Sequence, residues 1–297
     1  MLPRRFLATA FGMATLICAA GLAIAPGAAS AGAAATGRPA ARPAAAPRIP
    51  SPGGPIVPAV TSGHAAVQAV GQGFSVAMSS QNWSGYAVTS PAKFTYAQSR
   101  FVQPTLTCPG DHPNEWASNW VGFDGFSSSS PTVEQDGTAA HCGGPDNTRP
   151  VYKAWYEMYP KGSVNVFSVN PGDTINTSAS YSHGTFTLTV SDLTSGKSAT
   201  HTATCASCKR NSAEWIIERP ELCTTNCFLT RLADFGTTSM SAKARVAGVS
   251  SAQGIPNFRN YIITMMNSGT GPALDTIGKV SSNSFAAVWE NAGTTVG

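Results

Sequence analysis

Glu218 closes the run Ala213-Glu214-Trp215-Ile216-Ile217-Glu218 and is one of only 15 acidic residues in a chain of 297. Read as a strand, the run puts Glu214, Ile216 and Glu218 on one face and Trp215 and Ile217 on the other. A carboxylate in so apolar a setting is placed for a purpose, since acids otherwise sit in solvent. Val151 to Pro160 reads as a second strand, with Lys153, Trp155, Glu157 and Tyr159 sharing a face. A carboxylate beside two aromatics has the composition of a binding surface. A plain structural alternative carries equal weight there: an edge-strand Glu in solvent whose aromatic neighbours pack on the core. Trp120-Val121-Gly122-Phe123-Asp124-Gly125 and Glu134-Gln135-Asp136-Gly137 read as strand, loop and strand. Taken alone, Gln135 means nothing.

Other catalytic patterns are missing. The chain has no Gly-x-Ser-x-Gly elbow and no His-Glu-x-x-His. His112, His141, His183 and His201 fall in loops or at strand ends, which leaves a Ser-His-Asp triad unsupported. Cys205-x2-Cys208 and Cys223-x3-Cys227 imitate a zinc-ribbon spacing. Disulfides are the preferred reading, because the leader described below sends the chain to an oxidising compartment. The expected pairing joins Cys108 to Cys142, Cys205 to Cys208 and Cys223 to Cys227, one of the 15 that six cysteines allow. The sequence does not exclude the others. No metal and no cofactor is expected.

These residues need a rigid frame, and composition says which kind. Charged residues make up 11% of the chain, against about 25% in ordinary globular proteins, so the surface is built of Ser, Thr, Asn and Gly. The formal charge of +4 comes from Arg4, Arg5, Arg38, Arg42 and Arg48, which precede residue 79 with no acid among them. Beyond them the chain is near neutral, and no basic patch invites nucleic acid. Residues 1–31 read as an export signal: Arg4 and Arg5, an apolar run from Phe6 to Ala25, then Ala29-Ser30-Ala31 as a cleavage site. A membrane anchor is the lesser alternative. Residues 32–78, rich in Ala, Pro and Gly, read as a low-complexity linker or propeptide. Its apolar end, Val67 to Met78, has the character to dock on the folded body. Residues 79–297 form the folded domain, its first motif near Gln81. Short runs rich in Val, Ile, Thr and aromatics, with Gly, Pro, Asn and Asp between them, make it all-β. Thr185 to Val190 alternates, with Phe186, Leu188 and Val190 inward and three threonines outward, and turns through Asp192–Lys197 into a hairpin. The expected fold is a sandwich of two antiparallel sheets, a concanavalin-like jelly roll.

Five stretches together resemble the glutamic peptidases, or eqolisins. They are Gln81-Asn82-Trp83-Ser84-Gly85-Tyr86, Trp120 to Gly125, Gln135-Asp136-Gly137, Tyr152 to Pro160, and Asn211 to Glu218, in the family's order. The resemblance implies an acid-acting endopeptidase with a Gln and Glu dyad at Gln135 and Glu218. It maps Trp83, Trp120, Asp124, Tyr152, Trp155 and Glu157 to the substrate cleft. With the export signal and the low-complexity leader, the expectation is a secreted, extracellular zymogen acting on polypeptides as a monomer, with no membrane attachment once the signal is removed. Lys153 departs from the family pattern, which carries Asp there. The leader is expected to be lost near Ser79 to Gln81.

Two other functions fit parts of the same residues. A glycoside hydrolase would use Glu157 and Glu218 as its acid and nucleophile, with Trp83, Trp120 and Trp155 stacking sugars. A lectin-like module would use the aromatic cleft alone.

Overall fold

The alternating runs form strands, as their period requires, and the strands build two large sheets. A computed structural model describes residues 54–59, 67–70, 73–223, 225–269 and 271–297. The export signal and most of the low-complexity stretch lie outside the described residues. Among the described residues no helix is long and apolar enough to cross a membrane; the one helical element is a short 3-10 turn at Ile255–Asn257.

The larger sheet runs in the order Val67–Val70, Gly73–Ser80, Arg259–Met265, Trp83–Thr89, Ser212–Glu218, Glu115–Phe123, Val133–Gly143, Arg149–Tyr159 and Val164–Ser168. Its pairs are antiparallel except Gly73–Ser80 with Arg259–Met265, and the short Arg231–Leu232 strand beside Glu115–Phe123. The second sheet runs Ser198–Ala203, Thr185–Asp192, Thr174–Ser182, Phe94–Val102, Lys243–Val246 and Gln253–Gly254. Two small sheets, at Glu221–Leu229 and at Thr237–Trp289, complete an all-β architecture. The boundary expected at residue 79 falls inside the Gly73–Ser80 strand, which the sheet carries back to Gly73.

The core lies between the two main sheets. Phe123, Trp215 and Ile217 from one side meet Phe94, Ile175, Phe186, Leu188 and Val190 from the other. The threonines of the Thr185–Asp192 strand are half-buried on the outer side, and its hairpin partner pairs Phe186 with Ala203. Asp136 is the polar stitch between sheets: Thr177 Oγ1 and the Ser178 N–H donate to its carboxyl group. All six cysteines after the leader are paired, as Cys108–Cys142, Cys205–Cys208 and Cys223–Cys227. This ends the zinc-ribbon alternative, because a sulfur in a disulfide offers no thiolate.

Candidate active site

The face of the larger sheet that turns away from the inter-sheet core carries most of the candidate residues. Register fixes three ranks of side chains across five adjacent strands. Trp83, Glu218, Ser118, Ala139 and Lys153 form the first; Gly85, Ile216, Trp120, Gly137 and Trp155 the second; Ala87, Glu214, Gly122, Gln135 and Glu157 the third. Each rank is two residues further along the strands, so all three project on one side. Glu218 and Gln135 are therefore two strands and four residues apart, with the Trp120 rank between them.

Glycines in these ranks make room for their neighbours. A Cβ on Gly137 would lie 2.1 Å from the Asn119 carbonyl oxygen and 2.7 Å from the Trp120 Cα, and one on Gly122 would lie 2.9 Å from the Gln135 Cβ. Only a bare backbone leaves space there for the Trp120 indole and the Gln135 side chain.

The floor is aromatic. Trp83 and Trp120 meet edge to face with centroids 4.9 Å apart, and Trp155 and Ile216 join the same cluster. All three indoles are fully buried, as are Glu218, Gln135 and Glu157. Trp120 Nε1 donates to Glu218 Oε2 at 2.7 Å, and Asn82 Nδ2 to Glu218 Oε1 at 3.4 Å. Burial pushes the Glu218 carboxyl up to about 8; the N–H groups of Trp120, Trp83 and Asn82 hold it back from rising further. The Trp83 indole acts there by proximity, short of a well-formed hydrogen bond. Gln135 Nε2 donates to Glu157 Oε2 at 2.9 Å, across the strand pair that places the two residues directly opposite. Glu157 is thus a buried, hydrogen-bonded residue rather than a solvated edge.

Glu214 shares the rank of Gln135. Its carboxyl is raised well above the ordinary value by burial, with Ser212 opposing and Asp124 and Glu134 adding to the rise. At the other end Trp116 stacks on His141, centroids 4.0 Å apart, and burial with the nearby Lys153 ammonium lowers His141 to about 4. Lys153 itself donates to Ser168 Oγ at 2.7 Å.

Six of the eight expected site residues come together on this face: Trp83, Trp120, Gln135, Trp155, Glu157 and Glu218. Tyr152 does not. Strand alternation turns it to the opposite side, where its hydroxyl accepts the Leu106 N–H at 3.0 Å within the inter-sheet core. Asp124 is also diverted. It ends its strand at a positive φ of 69°, and its carboxylate accepts the backbone N–H groups of Lys209, Arg210 and Asn211 at 2.7, 2.7 and 3.0 Å. It anchors a loop instead of lining the cleft. Asn82 was missed, although it sits in the motif beside Trp83.

With this geometry in hand, the comparisons with known proteins decide the family. The sequence profile of the Peptidase A4 family matches residues 81–289. The chain belongs to that family. Aspergillopepsin-2 of Aspergillus niger is 28% identical over 193 residues, which span 57% of this chain and 65% of that relative. Scytalido-glutamic peptidase, solved with a peptide-based transition-state analogue, superposes with a TM-score of 0.59 at 20% identity over 71% of this chain and 98% of its own. SCP-B, an eqolisin solved in complex with the tripeptide Ala-Ile-His, gives the same TM-score at 19% identity, again over 71% and 98%. At such identities these structures establish that the peptidase A4 chain shares their β-sandwich fold.

Proposed function

We propose that the chain is a secreted, acid-acting glutamic endopeptidase, made with an export signal and a leader and working as a monomer on polypeptides. The observation that carries the reading is Glu218, a buried carboxyl group gripped by the Trp120 indole on the same face as Gln135. Peptide hydrolysis needs a base for the attacking water and a donor for the oxyanion. In this reading ionised Glu218 takes the proton from water and returns it to the leaving amine. Gln135 gives an amide N–H to the oxyanion, and stays neutral at any pH. Glu157, by holding the Gln135 amide nitrogen, fixes how that amide plane is turned. The three indoles supply an apolar floor for substrate side chains. Three disulfides suit an oxidising compartment.

The glycosidase alternative loses ground on hydrogen bonding. It needs Glu157 as an acid or nucleophile at the scissile bond, and Glu157 is engaged with Gln135.

Casein hydrolysis at acid pH tests the assignment. Glu218→Gln should lower kcat by about 10²–10⁴-fold, and Gln135→Ala by about 10²–10³-fold, with the fold intact by circular dichroism. Glu157→Gln should cost less. Casein hydrolysis that survives Gln135→Ala sinks the mechanism, and polysaccharide hydrolysis lost equally with Glu157→Gln and Glu218→Gln establishes the glycosidase instead.

A further inference from the structure

Lys153 is the one cation in the three ranks, and it stands in the rank of Glu218. Only Ser118 and Ala139, two small residues, lie between them along that rank. Three strand spacings separate the two backbones, about 14 Å, a distance that an extended chain crosses in about four residues. The next residue outward is Ser168 on the edge strand, whose Oγ accepts one Lys153 N–H at 2.7 Å. An ammonium carries three donors, so a neutral hydroxyl leaves two of them, and the whole charge, for a ligand. No carboxylate among the described residues pairs with Lys153. On its own strand the nearest carboxyl group of that face is Glu157, with Trp155 between them.

Beside Lys153 the face continues as a fourth rank, Trp116, His141 and Val151. Stacking on Trp116 fixes the imidazole plane, and the Lys153 ammonium acts on that imidazole as one of the two causes that lower it to about 4. Above that value His141 is neutral and offers a ring N–H or a lone pair rather than a second charge. Lys153 and His141 are half-buried, not sealed. An unpaired ammonium and a held imidazole, with only the methyl group of Ala139 in the rank beside them, make a receptor for a carboxylate on a short aliphatic stem. The stem lies over Ala139, and the charge meets Lys153.

We propose that Lys153 makes this peptidase selective for an acidic residue, Glu or Asp, within about four residues of the bond it cleaves, the substrate carboxylate being received between the Lys153 ammonium and the His141 imidazole. The selectivity rests on the peptidase reading; the anion subsite stands on the geometry alone.

The test uses the secreted protein and a peptide series in which each of the four positions on either side of the cleaved bond carries Glu, Gln or Lys in turn. Values of kcat/KM are compared at about pH 5, where the Glu side chain is ionised, in buffer of low ionic strength. At one position Glu should be preferred over Gln by about fivefold, the worth of a well-placed ion pair facing solvent, and Lys should be the poorest. Lys153→Met should bring the Glu-to-Gln ratio to about one, and Lys153→Glu should reverse the order of the Glu and Lys peptides. Lys93→Met, at an exposed lysine outside the ranks, should keep the wild-type ratio. Each ratio is taken within one protein, so a partly unfolded variant still reports. Should neither variant fold, about 0.5 M salt should bring the wild-type ratio towards one by screening. A ratio near one at every position, or one that neither Lys153→Met nor salt changes, overturns the proposal. Binding of the Glu and Gln peptides to Glu218→Gln protein, followed by tryptophan fluorescence, separates the two readings. A preference for Glu in binding that disappears in the Lys153→Met, Glu218→Gln protein, with no peptide hydrolysed by wild type, sinks the peptidase reading and keeps the subsite; hydrolysis of all three peptides at equal rates does the reverse.

Discussion

Asp275 should make this protein less stable as the solution is neutralised, and Asp275→Asn should remove that penalty. The residue is fully buried; Ser84 Oγ donates to one carboxyl oxygen and the Met265 N–H to the other at 3.4 Å. Burial pushes its carboxyl from the ordinary 3.8 up to about 7, with the Ser84 and Met265 contacts opposing the rise and Glu290 adding to it. Between those two values the folded chain keeps a proton that the unfolded chain has released. Stability is therefore whole below 3.8 and falls as pH rises towards 7. Three pH units at about 1.4 kcal/mol each come to about 4 kcal/mol. Asn reproduces the protonated acid, since its carbonyl accepts the Met265 N–H and its amide reaches the Ser84 hydroxyl. For a domain of this size about 4 kcal/mol corresponds to roughly 8–16 °C in Tm. Calorimetry on both proteins from acid to mildly alkaline pH should give curves that nearly coincide in acid and separate by that amount above neutrality. Asp111→Asn, at an exposed site, is the control that should change neither end. Parallel curves for Asp275→Asn and wild type would refute the reasoning.

Three further outcomes follow from the same geometry. Gly137→Ala should prevent folding or lower Tm beyond recovery, because its Cβ meets backbone at 2.1 Å, whereas Gly162→Ala, with nothing within 4 Å, should be silent in the same melt. Lys153→Met should raise the pKa of His141 from about 4, since the ammonium is one of its two depressing causes; an NMR titration of the imidazole checks it, and an unmoved resonance contradicts it. Replacing both Cys108 and Cys142 by Ser opens a loop of sequence separation 34 and should cost about 4 kcal/mol by chain entropy, read as a fall in the denaturant midpoint.

Alternation made much of the site legible. Glu214, Ile216 and Glu218 share a face, as do Lys153, Trp155, Glu157 and Tyr159, because a period of two leaves no other choice. The same rule assigns Tyr152 to the opposite face from Trp155; following the motif's order instead put it in the cleft. Asp124 was lost at a positive φ that no pattern announces. Sheet order was not legible, since Arg259–Met265 inserts between Gly73–Ser80 and Trp83–Thr89 from nearly two hundred residues away. Least visible was the placement of residues 54–59. Gly-Pro-Ile-Val-Pro-Ala has no local pattern, and its hydrogen bonds go to residues twenty or more positions distant.

One apparent conflict remains between the role of Glu218 and its pKa, and its resolution is itself testable. A base must be ionised, yet at about 8 the carboxyl is protonated throughout the acid range. Burial is the largest cause of the rise, while Trp120, Trp83 and Asn82 all act against it. Opening the cleft lets water in and removes the first, but leaves the donors in place, so the carboxyl must fall towards its ordinary 4.5 or below. Activity can then reach down into the acid range, to the pH at which Glu218 itself takes up a proton. Trp120→Phe deletes the 2.7 Å N–H donor and should move the acid limb of kcat/KM to higher pH. Gln135→Ala should lower the whole profile without moving that limb, because an oxyanion donor does not set the base's titration. A limb that stays fixed in Trp120→Phe, with the protein folded, would mean that Glu218 is not the group whose ionisation the reaction requires.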